Sequence, residues 1–490
     1  MTCYINGILH TMTHETEYHT MMATKDGKII AFDQDVNLSS CERIIDLKGA
    51  HLYPGFIDNH LHIVGYGEYL NVINLSDCQD LTSIIHQLSS SHEELVFAIG
   101  YHDIGITKHD LDLYFNHQMV VLRHSDFHGL TLNSKALAYF NVKDDLGILK
   151  EEKASSVMQK MPKPSYPKLK QMIEKAIDEL TSYGITGGHS DDLYYHNGFD
   201  LTYQAYQDVL SEKPFRTHLL IHHQVLDNFI NSKTPWGVVS PYLEFGAVKM
   251  FYDGTMSSKT ALMFHPYQQS NTSGEVVMGK DEFIKTVKKV RSLGLTAAIH
   301  VIGDRGLDEV CDILKAYPPQ QKQIDRIIHA PWARLKTVEK MKHLPISVDI
   351  QPSFLASDLP HAFTLFSQPP ELMFPWKTYL KEHIKIVGSS DAPVEHPNPL
   401  LGIKDAIYRR SRSDLAIYTP SEKLTTFEAI KSYTSDAHVQ SNLGPRGYLK
   451  VGYLADFTVF DRDLTTLDEA DFEKSHVVMT IINDEVVYHR

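Results

Sequence analysis

Six residues carry most of the chemistry this chain can be expected to perform. His60 and His62 flank Leu61. Side chains two apart on a strand share a face, so both imidazoles can address one ion. In a chain with 28 histidines an isolated His-x-His triplet is weak, and a packed or surface pair is the plainer reading. The weight comes from further polar residues that interrupt or end apolar runs. Lys249 lies in AVKMF, His300 ends LTAAIH, His329 ends DRIIH, and Asp391 ends IVGSSD. Imidazole nitrogens and carboxylate oxygens suit zinc and related divalent metals. Lys249 needs a separate argument, because a lysine with the ordinary pKa of about 10.4 is an ammonium and cannot ligate a cation. It is either a salt-bridge partner or substrate-binding cation, or an amine that has reacted with CO₂. The resulting carbamate would offer two oxygens and could bridge two metals.

These residues need elements to position them. From about residue 166 the chain alternates helical patterns with short apolar strands, and the segment at 54–62 adds one more. The strands read PGFIDNHLH, ITGGHS, RTHLLIHH, FGAVKMFYDG, LTAAIHVIGD, DRIIHA, ISVDIQP and IKIVGSSD. Apolar strands alternating with helices imply a parallel α/β sheet, and eight of them suggest a (β/α)8 TIM barrel, with a doubly wound sheet as the alternative. Each polar residue singled out then falls at the C-terminal mouth, where barrel enzymes keep their chemistry. The barrel is expected over residues 55–444. Residues 66–165, with LVFAIGYHD and QMVVLRHSD, read as an α/β subdomain inserted at that mouth. Residues 1–54 and 445–490 are short β patterns, with turns at residues 25–27 and at Asn483 and Asp484, and should form one composite β-sandwich.

Composition narrows the function classes. Hydrophobic residues at 42% and charged residues at 22% fit a globular protein rather than a disordered or fibrous one. A net charge of −14 disfavours partners that present phosphate, so neither nucleic acid nor an anionic membrane is expected. Cys3, Cys41, Cys78 and Cys311 form no CxxC pair and no dense disulfide framework. With no signal-like N-terminus and no long uncharged apolar stretch, a cytoplasmic chain with reduced thiols is expected. The expected partner is a small-molecule substrate, and a homodimer is the default assembly.

PGFIDNHLH, VKMFYDG, AAIHVIGDRG, RIIHA and GSSDAPVEHPNPL, in this order, resemble the metal-dependent amidohydrolase superfamily. LRHSDFHGLTLNSKAL and the tail from LTTFEAIKSYTSDAH to ADFTVFDRD resemble its branch containing N-substituted formamide deformylase. The resemblance spans essentially the whole chain and implies the barrel and the two-ended β-sandwich. It assigns His60 and His62 to a more buried metal, Lys249 to a carboxylated bridge, and His300 and His329 to a more exposed metal. Asp391 serves the buried metal and proton transfer. Two zinc-like ions are implied if Lys249 is carboxylated, and otherwise one.

The implied activity is hydrolysis of a carbon–nitrogen bond, in a non-peptide amide or formamide, by metal-bound hydroxide with Asp391 as proton shuttle. Ester or lactone hydrolysis and deamination are the alternatives. Against deamination, Val301, Ile302 and Gly303 follow His300, where adenosine-type deaminases carry a glutamate. A non-catalytic scaffold would be expected to lack ligands, and all six are present. His128, His189 and Asp253 are the candidates for substrate contacts. His124 and His128 stand four apart, but on a strand running into a loop, so that spacing is not a helical metal pair. His222 and His223 should face opposite sides of their strand, and Asp304 should cap the helix after His300.

Overall fold

The computed structural model describes residues 1–124 and 129–490. At its centre lie eight strands: β1 (Phe56–Leu61), β2 (Ile185–Ser190), β3 (Arg216–His222), β4 (Leu243–Phe251), β5 (Ala297–Val301), β6 (Asp325–His329), β7 (Ile346–Ile350) and β8 (Lys385–Gly388). They are hydrogen-bonded in sequence order and all parallel. β1, β2, β3, β5, β6 and β7 are buried along their whole length, as expected of strands covered on both faces. A doubly wound sheet would not keep its strands in sequence order, and an open sheet in this order would leave β1 and β8 as edges. Instead the Asn59 side chain donates to the Gly388 carbonyl at 2.8 Å. Just beyond the strands, Asp391 N–H donates to His60 O at 2.7 Å and His62 N–H to Ala392 O at 2.8 Å. The sheet curls into the expected TIM barrel, and two of these closing bonds run through candidate site residues.

The helices between strands show why the sequence pattern was readable. Tyr166–Ser182 buries Leu169, Met172, Ile173, Ala176, Ile177 and Leu180, a three- and four-residue spacing that turns one face to the sheet. It stops at Gly184, whose φ of 82° is the left-handed conformation that ends helices most cheaply with glycine. Within the barrel, Arg326 on β6 forms a buried pair with Asp349 on β7, with Nε–Oδ2 at 3.0 Å, and also donates to the Asn59 carbonyl. Breaking one partner of such a pair leaves a charge stranded in low dielectric.

The chain ends build two sheets. A four-stranded sheet orders Lys28–Phe32, Met22–Lys25, Thr2–Ile5 and Arg43–Asp46. A six-stranded sheet orders Glu485–His489, Val477–Ile482, Phe457–Phe460, His51–Pro54, Ile8–His10 and Tyr18–His19, so both termini share it. Tyr4, Leu9, Met22, Leu52, Phe457 and Ile481 pack into one core between them. The turn at Asp26 and Gly27 and the turn at Asn483 and Asp484 each put two residues at positive φ, the conformation that matches strand twist in tight hairpins. Arg216 on β3 reaches Asp456 with a two-pronged pair at 3.0 and 2.9 Å.

Residues Glu68–Ser165 form a separate compact unit. Its mixed sheet orders Ile148–Lys150, Gly129–Leu132, Met119–His124, Leu95–Tyr101 and Ile73–Asn74. Leu75, Ile84, Val96, Ala98, Tyr101 and Val120 fill one side of it, and Val121, Leu130, Leu132 and Phe140 the other.

Two expectations change. Cys3 and Cys41 are joined as a disulfide, with Cα atoms 5.9 Å apart, while Cys78 and Cys311 are free and buried. The reading of four reduced thiols misses that pair, because 38 residues separate two cysteines that sheet pairing brings side by side. His222 and His223 do not face opposite sides. β3 ends at His222, the chain turns, and the two rings stack at 4.5 Å. No described helix is long and apolar enough to cross a membrane.

Candidate metal centre

His60 and His62 occupy the end of β1 and its exit, as the strand spacing requires. Asp391 lies three residues beyond β8 rather than at its end, in a loop with φ of 60°. His329, the last residue of β6, has φ of 79°. Non-glycine residues in this region carry strain, and such strain gathers at functional sites. The Asp391 loop is tied to β1 by Asp58, which accepts from the Ser390 hydroxyl at 2.5 Å, the Ser390 N–H at 3.1 Å and the His60 N–H at 3.2 Å. Burial pushes the Asp58 carboxyl up to about 7, against the pull of those bonds.

These ties bring three donor atoms together. Asp391 Oδ1 lies 3.4 Å from His60 Nε2 and 3.4 Å from His62 Nε2. Two donors, each about 2.1 Å from one tetrahedral ion, are about 3.4 Å apart, so the spacing fits zinc. His62 Nδ1 lies 3.0 Å from the Asp191 carbonyl, which can only accept. The Nδ1 proton is thereby fixed, and Nε2 faces Asp391.

His300 and His329 lie beside this group, with ring centroids 4.6 Å apart and the His329 ring 5.8 Å from that of His60. His300 Nε2 donates to Gly254 O at 3.2 Å, which leaves Nδ1 as its lone-pair nitrogen. His329 Nδ1 lies 2.8 Å from Gln351 Oε1, which leaves Nε2. The Gln351 amide in turn donates to Ser389 Oγ at 2.8 Å, which fixes its oxygen toward His329. Lys249 is buried, with Nζ 3.3 Å from His60 Nε2, 3.5 Å from Asp191 Oδ2 and 4.7 Å from the Phe251 ring centroid.

Electrostatics suit a cation. Burial, followed by the Lys249 charge, holds His60 well below the ordinary imidazole value. Burial and the neighbouring His329 do the same to His300, and burial takes His329 down to about 4. Burial works against charge on Asp391 as well, but the His62 hydrogen bond and the His329 charge outweigh it and keep the carboxyl below its usual value. Burial likewise opposes a charged His62, yet Asp391 lifts it to about 9. A proton is therefore held on His62 against Asp391, at the position a metal ion would take.

The remaining expectations divide. His189 is not at the mouth. It lies one layer down, stacked on His218 at 4.2 Å with Nδ1 3.2 Å from Arg326, because β2 continues past it to Ser190. Asp253 is spent on the fold: its oxygens accept the N–H groups of Leu262, Ile302 and Gly303 at 2.8, 2.9 and 2.8 Å. Asp304 begins its helix but accepts from Phe264 N–H at 3.0 Å instead of capping it. His128 lies outside the described residues. Sequence reasoning missed Asp191, whose carbonyl orients His62 and whose carboxylate meets Lys249 and, at 3.3 Å, the Tyr195 hydroxyl. It stands two residues after His189, which drew the attention instead. Gln351 and Asp58 were missed too, since their work is done through other side chains and leaves no spacing signal.

Comparison with known proteins adds to this geometry. The family described as "Amidohydrolase family" matches residues 43–488. The chain is 31% identical to the "Putative amidohydrolase YtcJ" of Bacillus subtilis (strain 168), over 99% of this chain and 98% of that protein. It is 22% identical to the N-substituted formamide deformylase of Arthrobacter pascens, over 91% and 90% of the two chains. An uncharacterized metal-dependent hydrolase from Pyrococcus horikoshii OT3 superposes with a TM-score of 0.83 at 25% identity, covering 96% of this chain and 99% of that one. The barrel with its polar mouth and this end-to-end likeness lead to one conclusion: the chain belongs to the amidohydrolase family.

Proposed function

We propose that this protein is a metal-dependent hydrolase that cleaves a carbon–nitrogen bond in small non-peptide amides, N-substituted formamides foremost. The observation that carries the reading is the convergence of His60 Nε2, His62 Nε2 and Asp391 Oδ1 at spacings that suit one divalent ion. Similarity to the formamide deformylase and to a metal-dependent hydrolase supports the choice of bond and of cofactor.

His60, His62 and Asp391 would hold a cation, zinc by the chemistry of the donors. His300 and His329 would hold a second, provided that Lys249 is carboxylated. In that reaction the ammonium first gives up one proton, and the free Nζ amine then bonds to the carbon of CO₂ and releases a second, so a buried ammonium becomes a buried anion. When bound, the metal supplies Lewis acidity, polarising a carbonyl oxygen and making a water acidic enough to attack at neutral pH.

The side chains supply the rest. Asp391 accepts the proton that the attacking water gives up, and delivers it to the departing nitrogen, because an amide anion leaves poorly. The Asp191 carbonyl holds His62 in the tautomer that presents Nε2, and Gln351 does the same for His329. Asp58 and the closing backbone bonds hold the Asp391 loop against β1, so the carboxylate does not have to be ordered at each turnover.

The test is the purified full chain with zinc, offered a panel of N-substituted formamides, other amides and matched esters. Amine release from the formamides supports the reading, and cleavage of esters alone overturns the bond assignment. Replacing His60 and His62 together with alanine should abolish hydrolysis and lower bound zinc while the far-ultraviolet spectrum stays native. Undiminished zinc in that variant would show that these residues do not hold it.

A further inference from the structure

The described residues hold one other group of three metal-ligating side chains: His10, His51 and Asp463. It lies in the composite β unit, on the six-stranded sheet that both chain ends share. His10 ends the strand Ile8–His10, and His51 begins the parallel neighbour His51–Pro54. Asp463 follows the antiparallel strand Phe457–Phe460, in which Phe460 pairs with His51. Three segments that are remote in sequence thus meet at one corner of one sheet.

The donor atoms lie within 4.8 Å of one another. His10 Nε2 is 3.1 Å from His51 Nδ1 and 3.8 Å from Asp463 Oδ1. These distances bracket the spacing of about 3.4 Å expected between two ligands of one tetrahedral zinc. A hydrogen bond between the two rings explains only the shorter contact, since 3.8 Å is too long for a hydrogen bond to the carboxylate.

The Asp463 carboxylate and the His10 ring are also fixed by their neighbours. Asp463 Oδ1 accepts from the Tyr53 hydroxyl at 3.1 Å, the Thr465 N–H at 2.9 Å and the Thr465 hydroxyl at 2.6 Å. The His10 ring stacks on Tyr53 with centroids 4.2 Å apart and planes 2° from parallel. One tyrosine therefore orients both the carboxylate and an imidazole. Oriented imidazoles with a hydrogen-bonded carboxylate are how proteins prepare metal sites. The side chains of His10 and Asp463 remain 11% and 25% exposed, so an ion can reach the group from solvent.

We infer that His10, His51 and Asp463 form a second, non-catalytic binding site for a divalent cation of zinc-like chemistry, which fastens the first strands of the chain to its last. Two imidazoles and one carboxylate favour zinc over calcium or magnesium, which prefer oxygen. Because the ion binds the paired ends and not the unfolded chain, its binding stabilises the composite unit.

The experiment uses the full chain in the His60→Ala, His62→Ala background, so that zinc at the barrel mouth does not enter the count. After equilibration with zinc chloride and gel filtration, this parent should lose one zinc per chain when His51→Gln or Asp463→Asn is added. Zinc should also raise the thermal midpoint of the parent and not of those variants. Equal zinc in parent and variants overturns the inference. A zinc-edge anomalous map of the wild-type chain decides the matter even if a variant misfolds. A peak between His10, His51 and Asp463 supports the site, and a map with none there refutes it. The wild-type map also reads the barrel mouth separately, so failure of one site is not mistaken for failure of the other.

Discussion

Replacing Asp391 with asparagine separates proton transfer from the building of the site. The carboxylate meets His60 and His62 through a single oxygen, Oδ1, at 3.4 Å each. Asparagine keeps an oxygen and the shape at that position, and its backbone N–H can still donate to His60 O. What it loses is the negative charge and the capacity to carry a proton. General acid–base transfer contributes about 10²–10⁴-fold to rate. At about 1.36 kcal/mol per tenfold, that is about 2.7–5.4 kcal/mol on the barrier. The assay is kcat for amine release from an N-substituted formamide at saturating zinc, with bound zinc measured on the same sample. Asp391→Asn should keep most of its zinc and lose turnover within that range. Wild-type turnover at equal zinc would refute the assignment and move the proton to another group, with Asp191 the first to examine. Loss of zinc in proportion to activity would show that Asp391 matters as a ligand alone.

Lys249→Ala removes the group proposed to become a bridging anion, so bound metal and activity should both fall, and excess acetate or propionate should restore part of the activity by filling the gap. Two metals and full activity in that variant would exclude the carbamate. Asp456→Asn strands the buried Arg216 guanidinium, which now pairs at 3.0 and 2.9 Å, and should cost about 3–5 kcal/mol in urea unfolding. An unchanged midpoint would show that the pair contributes nothing. Burial alone would raise the Glu309 carboxyl, but hydrogen bonds from Lys280, Tyr252 and Arg305 prevail and hold it at about 2. An unfolded glutamate titrates near about 4.3, so Glu309 stabilises the fold above that pH and loses its effect as pH falls toward its folded value. The stability difference between wild type and Glu309→Gln should therefore be full at neutral pH and shrink through that acid window, and a difference independent of pH would contradict it.

The barrel was legible because most of its strands are buried on both faces and read as short apolar runs, several with a polar residue near the C-terminal end. That pattern singled out His60, His62, Lys249, His300 and His329, which lie in or just past the C-terminal parts of their strands, Lys249 two residues before the end of β4 and His62 one residue past β1. It put Asp391 at a strand end, whereas the strand stops at Gly388 and the loop turns back on β1 through Asp58. A sequence does not show which way a loop folds. The same limit hid Asp191, whose carbonyl matters more to His62 than its side-chain type suggests. His189 drew attention as the histidine near the end of ITGGHS, and in the structure it packs on His218 and Arg326. The composite β unit was legible from its two hairpin turns. The His10, His51 and Asp463 group and the Cys3–Cys41 pair were not, since both depend on which strands lie side by side, and no local spacing encodes that.

In the proposed function, hydrolysis depends on metal held by His60, His62 and Asp391. Its most direct test strips the full chain with a chelator and titrates zinc back, recording bound zinc and formamide hydrolysis together. The stripped protein should be inactive and regain activity as zinc binds at the barrel mouth, and the His60→Ala, His62→Ala variant should not recover. A stripped protein that hydrolyses at the full rate, or a double variant that recovers with zinc, would contradict it.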